Sequence, residues 1–277
     1  LYYWVDVLDR LIPFRPSQMI GKFVEGETLK QSDRIVVIND KLKDYVTGLG
    51  APPELTHVLR AGIDTGQFNP DSNHREVRKQ HGFKEDDIIL FFMGWLYDFS
   101  GLKEVVLKFA QIKNDKLKLL IVGDGDLFNE LKEIQNKYNL EGKIMLVGKK
   151  TYQEIPDFIA AANICLLPAY PWEPIMQDIV PIKMYEYMAM KKPVITTRLP
   201  GVMKEFGEDN GVVYVDTPDD VIAKAMQLMQ NGKVAELGLK ARKLVERYSW
   251  DKITDEFEKI MVKALEEKGN ERLSKRV

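Results

Sequence analysis

From residue 83 onward, short apolar runs alternate with stretches whose apolar positions recur every three or four residues. The runs at 88–93, 117–122, 143–147, 164–167, 193–196 and 212–215 are near-continuously apolar, the pattern of strands buried on both faces of a parallel sheet. Between them, 102–112, 127–138, 155–161, 182–189 and 221–229 carry helical periodicity. Strand alternating with helix predicts a doubly wound α/β domain. The helix from 221 has its own start signal: Thr217 to cap, Pro218 at the first helical position, Asp219 and Asp220 in the first turn. Its apolar residues Val221, Ile222, Ala225, Met226 and Met229 share one face and read as core.

Two more helices follow, at 235–247 and from Ser249, the second with Ile253, Phe257, Ile260, Met261 and Ala264 as its apolar stripe. The charged tail beyond Leu265 is expected to fray. The first 70 residues differ, with a helix near 17–30, a strand at 34–38, a helix at 40–48 and a strand at 56–59. The segment 64–74, with Gly66 and Pro70, reads as a linker. A small N-terminal α/β piece therefore precedes the larger domain. No internal repeat or low-complexity tract is present.

Composition narrows the function classes. A chain of 277 residues that is 45% hydrophobic and 30% charged buries a sizeable core, and its formal charge of -2 gives no electrostatic argument for a polyanion. Nucleic acid is excluded as an expected partner. The single cysteine, Cys165, lies in the apolar run Ile164-Cys165-Leu166-Leu167 and reads as a small buried hydrophobe, and one cysteine forms no internal disulfide. His57, His74 and His81 have no metal-ligand spacing, so no metal is expected and a reducing, cytosolic setting is. No apolar stretch approaches the roughly 20 residues that cross a bilayer, and the N-terminus lacks the layout of a signal peptide. The chain begins at Leu1 in the aromatic stretch Leu1-Tyr2-Tyr3-Trp4, which reads as a fragment or a processed chain.

In an open parallel sheet, ligands bind outside the carboxyl ends of the strands, where loops lead into helix N-termini. Three such loops carry candidate chemistry. The first runs from Gly94 to Gly101, with glycines at both ends to let backbone approach a ligand. The second, Gly123-Asp124-Gly125, opens like a dinucleotide fingerprint, but Phe128 stands where the third glycine belongs; a tight turn explains it equally. The third runs from Leu167 to Ala189 and enters a helix near Pro181. There Lys183 and Glu186, three apart, share a helix face. A solvated surface pair is the plain reading of those two charges.

The segment as a whole changes that reading. Glu186-Tyr187-Met188-Ala189, followed by Pro193-Val194-Ile195, resembles the donor-binding signature of glycosyltransferase family 4, the retaining enzymes of GT-B type. In that signature an acidic residue and seven intervening residues precede the glutamate. The turn Val122–Gly125, the strand Ala162–Pro168 and the segment Ala61-Gly62-Ile63-Asp64 with Phe68 and Pro70 extend the resemblance over roughly 32–265. It implies a Rossmann-like domain of GT-B type over 67–248 that binds a nucleotide sugar, an incomplete acceptor domain with linker over 1–66, and a last helix, 249–277, crossing back.

Carried over to this chain, the resemblance gives Glu186 the ribose hydroxyls, which a carboxylate accepts bidentately. The first acid is Asp178, eight positions before Glu186, or Glu173, thirteen before it and followed by proline; spacing favours Asp178. The backbone between the acids, at Ile179 and Val180, meets the phosphates, while Pro181 removes one amide. Gly94, Ser100, Gly123 and Gly125 complete the donor loops. The family places an Arg after the first glycine and a Lys before the second, where this chain has Trp95 and Ser100. The cations for a departing diphosphate then fall to Lys183, Lys149, Lys150 or Lys103.

The expected activity is transfer of a sugar from a nucleotide-diphosphate donor to a glycan or lipid-linked acceptor with retention of configuration. No cofactor and no bound metal are expected. Two rivals stand beside it: an epimerase on the same architecture, against which the scarcity of histidine argues, and a non-catalytic binding or scaffold domain, for which Trp95 and Ser100 argue. Such transferases often work at a membrane face, so a cytoplasmic location with peripheral contact at the inner membrane face is expected. Tyr2, Tyr3, Trp4 and Phe14 are the contact residues in that case, and burial against a further domain explains them equally.

Overall fold

The computed structural model describes residues 15–274, and the aromatic residues Tyr2, Tyr3, Trp4 and Phe14 lie outside them. The chain divides into two compact units, one of residues 63–247 and one of the flanking residues up to 62 and from 248. In the flanking unit, α1 (Arg15–Lys30), β1 (Ile35–Val37), α2 (Asp40–Gly48) and β2 (Thr56–Val58) follow in order. The two strands pair in parallel, Ile35 opposite Thr56 and Val37 opposite Val58. Asn39 caps α2, its side chain accepting from the Leu42 amide at 2.8 Å, and a small core of Leu29, Ile35, Val37, Val46 and Ala51 forms beneath.

The long C-terminal helix, Trp250–Ser274, joins this unit through ion pairs of Glu267 with Arg34 and of Lys268 with Asp33, the latter at 2.6 Å. Its expected apolar stripe is fully buried only at its start, with Ile260 and Ala264 half-buried further along. Ile253 is buried, but Phe257 and Met261 are each 44% exposed. A two-stranded sheet is too narrow to cover the length of a 25-residue helix.

The larger unit is built on six parallel strands in the spatial order β5-β4-β3-β6-β7-β8. They are β3 (Ile88–Met93), β4 (Leu117–Val122), β5 (Ile144–Leu146), β6 (Ile164–Leu167), β7 (Val194–Thr197) and β8 (Val212–Val215). Around them run α3 (His74–Gln80), α4 (Leu102–Gln111), α5 (Phe128–Lys137), α6 (Ile155–Ala161), α7 (Lys183–Ala189), α8 (Pro200–Phe206), α9 (Val221–Gln230) and α10 (Val234–Val245). Alternate strand residues, Leu90 and Phe92, Leu119 and Ile121, Ile164 and Leu166, form one core with Val105 and Phe109 of α4, Leu131 of α5 and Ala225 of α9. The residues between them, such as Phe91 and Cys165, are buried as well. Burial on both faces is why these strands read as continuous apolar runs.

The expected doubly wound parallel sheet is therefore present. The segment 64–74, expected to be linker, runs into α3 at His74, a polar helix that buries only Val77 and leaves little periodicity to read. The short helix α8 also went unread, because a proline at its first position and glycines at 201 and 207 resemble a loop. At Thr217 the reciprocal cap with Asp220 forms, over a single 3-10 turn that leads into α9, where Leu228 is buried and Met226 and Met229 are partly so.

Strand order reverses between β3 and β6, which opens a crevice at their carboxyl ends. Helix α7 is fixed beside that crevice by Tyr187, whose buried hydroxyl accepts from the Met93 amide at 2.9 Å and whose ring meets Phe91 edge-on at 5.8 Å. Tyr187→Phe removes the acceptor and strands a buried N–H, so we expect urea denaturation to show a loss of about 1–3 kcal/mol. An unchanged midpoint would show that this bond does not hold α7 to β3.

Candidate functional site

The crevice is a cleft of about 430 Å³, walled by the ends of β3 and β4, the loop after β5, and the start of α7. Its loops are laced to each other through backbone: Gly94 donates to Val122, Gly123 to Gly148 and Leu96 to Asp124, at 2.9–3.0 Å. Such lacing leaves no room for side chains. A Cβ on Gly123 would lie 1.9 Å from the Gly94 carbonyl oxygen, and one on Gly125 would lie 2.5 Å from the Leu96 nitrogen. Both glycines have positive φ, +144° and +153°, as does Gly94 at +126°, a region that side chains rarely enter.

Two opposite charges stand in the α7 wall. Glu186 is 4% exposed, and burial pushes its carboxyl up to about 7, although the Tyr152 hydroxyl donates to it and the Lys183 charge favours its ionised form. Lys183 is driven the other way, down to about 8, because its ammonium is desolvated; the Glu186 charge opposes that shift only in part. The ammonium lies 4.3 Å from the centre of the Phe92 ring and beside Gly94. Tyr152 in turn packs edge-on against Phe68 at 5.5 Å, and desolvation together with Glu186 raises its phenol to about 12. The pair is thus shifted toward neutrality from both sides, and both residues line the cleft.

The other two lysines of the cleft are already engaged. Lys149 pairs with Asp124 at 3.5 Å and lies over the Trp95 ring at 5.4 Å, and Lys150 reaches Glu154 at 3.8 Å. Trp95 donates from its indole to Asp126 at 3.3 Å. Among the described residues, Lys183 is the cleft lysine without a carboxylate ion pair. Among those same residues, no group of three or more His, Cys, Asp or Glu converges in a way that holds a metal ion.

Gly94, Gly123, Lys149, Lys150, Lys183 and Glu186, all singled out in the sequence, meet in this cleft. Gly125 stands one step behind, supporting Leu96. Ser100 does not face the cleft: it is 3% exposed, in the turn before α4, where Gly101 at φ +69° packs against the Pro168 carbonyl. Lys103, also proposed as a cation, is paired with Glu130 at 2.5 Å and does not line the cleft either. Nor do Glu173, Asp178, Ile179 and Val180 line it. The backbone at Asp178 lies instead on the first turn of α8, against Gly201, whose amide donates to Gln177 at 2.9 Å. Sequence reasoning missed Tyr152, which sits in a loop without periodicity, and passed over Asp124 between its two glycines.

Fold and site together define a doubly wound domain with a cleft at its switch point. Residues 73–248 match the model of the glycosyl transferases group 1 family, and the chain belongs to that family. It is 23% identical over 248 residues to an uncharacterized glycosyltransferase of Methanocaldococcus jannaschii, covering 86% of this chain and 62% of that protein. It is 24% identical over 248 residues to N-acetyl-alpha-D-glucosaminyl L-malate synthase of Bacillus anthracis, covering 87% and 62%. Among solved structures, HepE of Anabaena in complex with UDP superposes with a TM-score of 0.68 at 16% identity, over 84% of this chain and 64% of that one. The fold is the Rossmann-like one of GT-B glycosyltransferases. The chain spans about 62% of the length of these two curated relatives and about half of that of others it matches. No helix among the described residues is long and apolar enough to cross a membrane.

The backbone lacing can be tested directly. Gly123→Ala pushes a methyl into the Gly94 carbonyl at a positive φ and should cost about 2 kcal/mol or more, whereas Gly142→Ala, with open space around its Cβ, should cost less than about 1 kcal/mol. Equal thermal midpoints for the two variants would contradict the close approach of the loops.

Proposed function

We propose that this chain is the donor-binding part of a retaining glycosyltransferase that moves a sugar from a nucleoside diphosphate sugar to a glycan or lipid-linked acceptor. The observation that carries the reading is the buried Glu186 carboxylate on the cleft wall, one helical turn from Lys183. A carboxylate there accepts from two vicinal ribose hydroxyls, and the three donors of the ammonium meet the diphosphate. The glycines Gly94 and Gly123 let phosphate oxygens approach backbone. Family membership and the UDP bound in the HepE structure support the same reading and make UDP-glucose the first donor to try.

Breaking the bond between sugar and diphosphate leaves negative charge on the departing phosphate. A lysine held in a desolvated wall stabilises that charge more strongly than one in water, which is how this site would lower the barrier. An acceptor hydroxyl then attacks the oxocarbenium-like sugar from the face the diphosphate leaves and gives its proton to the departing phosphate. The reading calls for no cofactor. Asp178, at the spacing of the first acid, is assigned to the sugar end. The location that accompanies the reading is the cytoplasm, with peripheral membrane contact.

Trp95 and Ser100, where the resemblance places Arg and Lys, favour a second reading in which the nucleotide sugar is held without transfer. Slow UDP-glucose hydrolysis that vanishes in Lys183→Met supports the transferase; binding with no bond cleavage at all supports the second reading.

Calorimetry tests the ribose assignment. Glu186→Ala removes a charged hydrogen-bond acceptor worth about 1.5–3 kcal/mol, so UDP-glucose should bind roughly tenfold or more weakly, with the fold intact by circular dichroism. Undiminished binding would refute it.

The pH profile provides a further test. Glu186, shifted up, ionises as pH rises through about 7, and Lys183, shifted down, loses its charge above about 8. If both charged forms bind, affinity for UDP-glucose peaks between these values and falls by about tenfold per unit on the acid side. A profile flat from pH 6 to pH 9 would contradict the assignment.

A further inference from the structure

Beside the cleft, the loops after β3 and β6 carry a run of aromatic side chains outside the core. Trp95, Tyr97 and Trp172 are 45%, 46% and 66% exposed. Tyr97 stacks on Phe99 with ring centres 4.7 Å apart and planes within 10°, and Tyr170 stacks on Trp172 at 4.8 Å and 12°. The two stacks belong to one surface, because the Tyr170 amide donates to the Phe99 carbonyl at 2.9 Å. Trp95 tilts against Tyr97 at 6.3 Å and also lines the cleft, so the surface begins where the donor site ends.

Its rings are held before any ligand arrives. Tyr170 donates to Glu104 at 2.6 Å, and burial together with that carboxylate pushes its phenol up. Around the stacks lie the carboxylates of Asp98, Glu104 and Asp126, while the nearby cations are paired: Lys103 with Glu130 at 2.5 Å, Lys108 with Asp219 at 3.6 Å, and Lys149, which lies over the Trp95 ring, with Asp124 at 3.5 Å. Flat π faces bordered by acceptors and without a spare cation suit a ligand that has an apolar C–H face and hydroxyl donors at its rim. A neutral pyranose ring has both. Anionic headgroups and acidic polysaccharides would instead meet like charge.

We propose that the ledge formed by the Tyr97–Phe99 and Tyr170–Trp172 stacks docks a neutral pyranose unit of the acceptor beside the donor cleft. The proposal rests on the reading of the cleft as a donor site. It makes Trp172 and Tyr97 acceptor-binding residues on the donor domain, reached from the cleft across Trp95. Pre-stacked rings lose little freedom on binding, so a weak sugar contact is not cancelled by ordering costs.

Saturation-transfer NMR of the full chain with maltotriose and with cellotriose reads the contact. We expect transfer to the ring C–H protons of at least one trisaccharide, reduced about fivefold or more in both Trp172→Ala and Tyr97→Ala, with UDP-glucose affinity by calorimetry unchanged. Absence of transfer from the wild-type chain, or equal transfer in both variants, overturns the ledge. Trp172-dependent sedimentation with phosphatidylcholine and phosphatidylglycerol vesicles in place of sugar contact overturns it in favour of a membrane surface. If UDP-glucose fails to bind while Trp172-dependent sugar contact persists, the donor reading falls and the ledge stands.

Discussion

Glu186 and Lys183 are held in a wall where water cannot fully solvate either charge, and each is displaced from its ordinary pKa toward neutrality. Desolvation of this kind costs free energy, and the protein recovers only part of it from the Tyr152 hydroxyl and from the attraction between the two groups. A ligand that offers hydroxyls to the one and phosphate oxygens to the other supplies what is missing. The pair stays in place because α7 is pinned: Tyr187, next in sequence to Glu186, accepts the Met93 amide at the end of β3. Stability at the carboxyl end of one strand thereby sets the position of the buried charge on the cleft wall.

The loops facing α7 meet the same constraint from the opposite side. Gly94, Gly123 and Gly125 take positive φ and leave backbone in contact with backbone, which shapes the cleft floor from peptide groups. Loops that close are rigid by geometry, and the polar atoms they present are amides and carbonyls that need no side-chain ordering on binding. The cations differ from each other in readiness. Lys149 and Lys150 form solvent-exposed pairs with Asp124 and Glu154, while Lys183 is desolvated beside Glu186. The aromatic ledge adds a second kind of recognition at the mouth, through faces instead of charges.

Much of the sheet was legible in the sequence, because strands buried on both faces must be apolar throughout, as in Ile88–Met93 and Leu117–Val122. What escaped were elements with weak burial signals, α3 with its single buried valine and α8 with a glycine at its second position and another just past its end. In the cleft, the glycines and the Lys183–Glu186 spacing were visible as local pattern. The partnership of Glu186 with Tyr152 was not, since it joins residues 34 apart that share no period. Spacing also pointed to Asp178 and Glu173, yet chain separation says nothing about the turn that seats Asp178 on α8. Nor does the sequence show that Ser100, next to Gly101, is buried away from the cleft lining, because that follows from the Pro168 backbone packing against Gly101.

The charge state of Glu186 is where the account is most exposed to refutation. Carbon-detected NMR of the glutamate side-chain carboxyls, titrated with and without saturating UDP-glucose, follows that group alone. The account predicts a midpoint near 7 in the free protein and a clear downward shift in the complex, because ribose hydroxyls that donate to the carboxylate favour its ionised form. A midpoint in the ordinary carboxylate range that does not move when the nucleotide sugar is added would contradict it.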